Sequence, residues 1–144
     1  MKQHVMLATA SLLSILLMSF HHTDDILRGM VGGGLSNLVA VLIMVVWLYG
    51  TTLVLAERRS GYVIVLVLSL LGAGIPVIHL MGKGVGGDIA KSDGAFFYVW
   101  TIVALGVTAL FSVILSARGL WGRRRGLSRQ SDDPGTGRAE APAG

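Results

Sequence analysis

Four long stretches without a single Lys, Arg, Asp or Glu, residues 5–20, 35–56, 62–81 and 95–117, occupy most of the 144-residue chain. About 20 residues of helix cross a hydrocarbon core of about 30 Å. Three of the stretches are therefore long enough to span a bilayer alone. The first, at roughly 16 residues, can do so by thinning the bilayer locally or by extending into the polar residues beyond Phe20. Lipid offers no partner for backbone N–H and C=O groups, so helices are the form these stretches must take. The expected fold is all-α, a four-helix transmembrane bundle with helices at about 5–28, 35–56, 62–81 and 95–117.

Composition leaves little room for anything else. The chain is 53% hydrophobic and only 14% charged, against about 25% charged in ordinary soluble domains, and its mean hydropathy is +0.70. Residues 1–121 read as one membrane domain and 122–144 as a disordered cytoplasmic tail of Arg, Gly, Ser, Asp and Pro. The net charge of +4 does not point to nucleic acid, because most basic residues sit just beyond the apolar stretches. There they act as topology signals and headgroup contacts. Cysteine is absent, which excludes disulfides, thiolate metal sites and a catalytic thiol. Met1–Lys2 and the apolar stretch after it imitate a secretory leader, but the stretch ends in Met18-Ser19-Phe20-His21-His22 with no small-x-small site there. It reads as a retained first helix.

Charge placement orients the bundle. Arg58 and Arg59 lie between the second and third stretches, and Arg118, Arg123, Arg124, Arg125 and Arg129 come after the fourth. The positive-inside rule puts these segments, and with them both termini, in the cytoplasm. Segments 21–34 and 82–94 then face outward, and Arg123, Arg124 and Arg125 are expected to hold lipid headgroups at about 1 kcal/mol per residue. Between helices, small side chains allow close approach where hydrophobicity gives no drive. Ala104, Thr108, Ser112 and Ser116 recur every four residues as such a packing face. Pro76 removes a backbone donor and predicts a kink in the third helix.

One constellation carries chemistry. If the first helix continues through His21-His22-Thr23-Asp24-Asp25-Ile26-Leu27-Arg28, then His21, Asp24, Asp25 and Arg28 share about 100° of one face. His79 reaches a similar depth on the third helix. A solvated helix end is one reading of these groups. A metal site of His21, His22, Asp24, Asp25 and His79 is a second. Imidazole with carboxylate suits Zn²⁺, while Met18, Met30 and Met81 nearby turn the preference toward copper. Binding would need neutral imidazoles and would weaken as pH falls below about 6.5. A haem held by His21 or His22 and His79, with Arg28 or Lys83 at its propionates, is a third.

Other patterns lead nowhere. Gly82-Lys83-Gly84-Val85-Gly86-Gly87 lacks the spacing and the Lys-Ser/Thr ending of a phosphate loop. Asp24-Asp25 begins an aspartate-rich motif that Arg28 interrupts, and Glu57 adjoins Arg58 and Arg59 as a surface ion pair. The chain has the size of the small multidrug-resistance exporters but lacks their glutamate within the first helix, and no carboxylate, Lys or Arg lies inside any stretch.

The phrase His21-His22-Thr23-Asp24-Asp25-Ile26-Leu27-Arg28-Gly29, with Trp47-Leu48-Tyr49-Gly50-Thr51 and residues 94–100, resembles a group of small bacterial four-span membrane proteins over about residues 5–121. The resemblance implies the same architecture and no particular activity. The expected role is a non-enzymatic accessory subunit or self-associating bundle, its partners being the lipid bilayer and either another membrane protein or a second copy of itself. A metal- or haem-binding membrane protein with an outward-facing His/Asp site is the alternative.

Overall fold

A computed structural model describes residues 2–81, 91 and 93–131 of the chain, and among these it is all-helical. Its helices are α1 (Gln3–Leu27), α2 (Leu35–Leu55), α3 (Arg59–Met81) and α4 (Ala95–Ser131). Each is long and apolar enough to cross a membrane. The chain is thus a multi-pass helical membrane protein, as its charge-free stretches imply.

Successive helices run antiparallel. Ser11 of α1 meets Thr51 of α2, Gly61 of α3 lies against Val54 of α2, and Gly106 of α4 lies against Pro76 of α3. The helices form a square in which α1 and α3 each pack on α2 and α4, and touch one another only slightly across the diagonal. That diagonal passes through His21 and His79.

The interior is the reverse of a soluble core. Ser11, Ser14, Thr51, Ser69, Thr101, Ser112 and Ser116 are buried, while Leu12, Leu16, Val45, Val67, Leu71, Val107 and Ile114 are exposed on the outer faces. Large apolar side chains lose nothing by facing lipid, whereas hydroxyls need partners. Several find them. Thr51 donates to the Trp47 carbonyl at 2.9 Å, which leaves Ser11 as donor in the 2.6 Å contact with Thr51 Oγ1. Ser14 Oγ lies 3.0 Å from Thr108 Oγ1, and Thr108 bonds back to the Ala104 carbonyl. The Ala104, Thr108, Ser112 and Ser116 face thus lies partly or wholly inside the bundle, with Thr108 joined to α1. Leu7, Trp47, Val54, Tyr62, Val65 and Leu115 fill the half nearer the N-terminus.

Three helix ends differ from expectation. α3 begins at Arg59 rather than 62, because Gly61 belongs to the helix. A Cβ there would stand 2.5 Å from the Val54 nitrogen and 2.6 Å from the Leu53 carbonyl carbon, so glycine is what lets α3 start against the α2 backbone. α1 stops at Leu27, where Gly29 takes φ +68° and the Gly29 and Met30 amides return to the Ile26 and Asp25 carbonyls. α4 continues to Ser131, beyond the apolar stretch that ends at 117. Once a long helix exists, each added residue propagates it without a new nucleation cost. Leu120, Arg123, Arg124, Arg125 and Leu127 are good helix formers, and the next proline after Pro76 is Pro134. Of the expected outer segment 82–94, residues 82–90 and 92 lie outside the described residues, as do 132–144. Pro76 stands inside α3, its ring against Gly106.

Candidate metal centre

Two sequence facts build this site. The run from Phe20 to Leu27 contains no glycine or proline, so α1 carries its helical register beyond the apolar stretch. His21 and Asp25 then sit one turn apart on one face, with Nε2 and Oδ2 3.4 Å apart and both side chains largely enclosed. On α3, His79 lies four residues past Ile75, and its Nδ1 is 2.9 Å from the Ile75 carbonyl. A carbonyl only accepts, so Nδ1 carries the proton and the lone pair of His79 is on Nε2. Metal-bound histidines are commonly oriented in this way.

Across the diagonal the His21 and His79 rings meet edge to face with centroids 4.8 Å apart. One ligand atom from each of His21, Asp25 and His79 lies within 4.8 Å of the other two. Tyr98 of α4 closes the side, 5.6 Å from the His21 ring and 6.0 Å from that of His79. A cavity of about 270 Å³ opens beside the cluster, with Met18, His22, Met44 and Ile75 among its lining residues. His21 is only 4% exposed, yet among the described residues its Nδ1 has no partner. Nor, among these, do Asp25 Oδ1, His22 Nε2 and the Tyr98 hydroxyl, all of them buried. An unanswered buried polar atom costs about 1–3 kcal/mol, and here several are gathered around one hollow.

Not every residue expected at this site joins the close trio. Asp24 turns away and takes the Arg28 guanidinium at 2.7 Å. Arg28 also lies over the Tyr98 ring at 5.5 Å and reaches the Asp93 carbonyl at 3.5 Å. The 100° arc thus divides into an inner pair, His21 and Asp25, and an outer pair, Asp24 and Arg28. His22 lines the cavity without joining the close trio. A haem between His21 and His79 would need these rings, now in edge contact, to part by the thickness of a porphyrin. Sequence inspection missed Tyr98 and Met44. Nothing in the spacing marks either, since register between helices is invisible to spacing within one.

At the opposite end, Arg123 stacks over Tyr62 at 4.9 Å. The side chains of Arg124 and Arg125 lie outside the described residues. His4 and Glu57 form a contact of 3.1 Å, and Gln3 Nε2 donates to the Leu115 carbonyl at 3.0 Å. Compared with known proteins, the chain matches no family model, no curated protein and no solved structure.

Proposed function

We propose that this protein binds a transition-metal ion within the membrane bundle, through His21, Asp25 and His79. The observation that carries the reading is the enclosed trio, assembled from α1 and α3, with ligand atoms within 4.8 Å of one another. Zn²⁺ bonds of about 2.1 Å in a tetrahedron would set ligands about 3.4 Å apart, so side-chain rotation of about an ångström closes the trio on an ion. His22 or a water would complete four-coordination. Ligation would also give the orphaned His21 and Asp25 atoms the partner they lack among protein groups.

Arg58, Arg59 and Arg123 stand at the other end of the bundle, which by the positive-inside rule is cytoplasmic. The metal site then faces outward in the inner membrane of a bacterium. The protein is a binding subunit, acting as an accessory to a membrane partner or as a self-associated bundle. A reporter fused at Gly33 should score as external; a cytoplasmic score overturns the orientation. Metal titration of the detergent-solubilised chain should show one saturable site that is lost in His79→Ala, and equal binding by that variant would overturn the site.

A further inference from the structure

The cavity beside the trio has a wall that a His/Asp ligand set does not use. Met18 stands three residues before His21, on the same side of α1, and Met44 enters from α2. The Met44 sulfur lies 3.4 Å from Ser19 Oγ, against α1, while the Ser19 hydroxyl donates to the Ile15 carbonyl at 2.8 Å. Among the described residues, His22 Nε2 is buried there without a partner. The rest of the described lining, Ala40, Ile43 and Ile75, is apolar. Two thioethers and three imidazoles therefore surround one small hollow, and Asp25 is the one carboxylate among the described residues that line it.

Resting on the reading of His21, Asp25 and His79 as a metal site, we propose that the ion is cuprous, held by the imidazoles together with the Met18 and Met44 thioethers. Thioethers are neutral, polarisable ligands that select Cu(I) over harder ions. Charge favours the same choice. The cost of placing an ion in a low-dielectric interior rises with the square of its charge, so a dication costs about four times a monocation of equal size. One ionised carboxylate, Asp25, neutralises Cu(I) fully and leaves Zn²⁺ with an uncompensated positive charge. Asp24 cannot supply the second negative charge, because Arg28 holds it.

The test compares Cu(I), kept reduced and buffered by a chromophoric cuprous chelator, with Zn(II) buffered by a zinc dye. Each is titrated into the full chain in detergent, purified without a His-tag. Met18→Leu/Met44→Leu is close in volume to the native pair and removes only the sulfurs. The double variant should lose about tenfold or more in Cu(I) affinity while Zn(II) affinity stays within about twofold of wild type. Unchanged Cu(I) affinity, or an equal loss for both ions, overturns the cuprous assignment. His79→Ala separates this failure from that of the site itself. If it abolishes binding of both ions while the double variant binds Cu(I) like wild type, the site stands and only the cuprous assignment falls. If it changes neither, the site falls, and the cuprous assignment with it.

Discussion

The two halves of the bundle treat their buried polar groups in opposite ways. Toward the N-terminal end, the buried Ser11 is joined to Thr51 and Ser14 to Thr108. Glycines there let backbones touch, as at Gly61. At the other end, His21, His22, Asp25, Asn37 and Tyr98 supply five of the eight buried side-chain atoms without a partner among the described residues. The first half is constructed for packing, most of its hydroxyls turned to a carbonyl or to another hydroxyl. The second half tolerates unanswered groups around a hollow. Trp47, Ser69 and Ser116 leave single atoms open elsewhere, but only at the His/Asp end are several gathered around one hollow, and this contrast is what marks that end as a candidate site.

The contrast is most sharply tested in the packed half. Gly61→Ala should destabilise the bundle by about 3 kcal/mol or more, beyond ordinary overpacking, since its Cβ meets backbone rather than a movable side chain. Thermal unfolding in detergent would show it. Gly74→Ala, with nothing within 4 Å of the added atom, should be neutral or gain up to about 1 kcal/mol from helix propensity. Equal effects of the two would mean that α2 and α3 do not approach closely. At the site end, His79→Ala should cost about a hundredfold in metal affinity and leave the metal-free protein nearly as stable as wild type. Its Nδ1 bond to Ile75 joins two residues of the same helix.

Smaller effects separate residues that spacing alone could not. Ser11→Ala should cost about 0.6 kcal/mol, in line with interhelical hydrogen bonds measured in membranes. A cost above about 2 kcal/mol, beyond the range of such bonds, would mean the hydroxyl pair does more than join α1 to α2. Asp24→Asn should change metal affinity least, within about twofold, because it breaks a partly enclosed ion pair worth about 1 kcal/mol and no ligand. Asp25→Asn should weaken binding clearly. Equal losses in the two variants would return Asp24 to the site.

The fold was legible because charge-free length is a property of single stretches and bilayer thickness is fixed. The inward packing of Thr108, Ser112 and Ser116 could be read from their four-residue spacing for the same reason. Composition alone does not show how far α4 runs, since a helix once begun passes through Gly119 and Gly122 to Ser131. At the site, spacing brought His21, Asp24, Asp25 and Arg28 to one face and depth brought His79 near. Whether a carboxylate faces in or out depends on a rotation of one residue, about 100°. Only the neighbours on α3 and α4 decide that Asp25 is the inward one. Met44 and Tyr98 depend wholly on interhelical register.

Whether the enclosed trio holds a metal can be read by elemental analysis of the full chain, purified in detergent without a His-tag, alongside His79→Ala and with thermal unfolding before and after added copper or zinc. About one equivalent of a transition metal per wild-type chain is expected, and none in the variant. Metal returned to the wild-type chain after stripping with a chelator should also raise its stability by about 2.7 kcal/mol at a hundredfold excess over the dissociation constant. A wild-type chain that carries no metal, and whose unfolding ignores added copper and zinc as fully as the variant does, would refute the metal site.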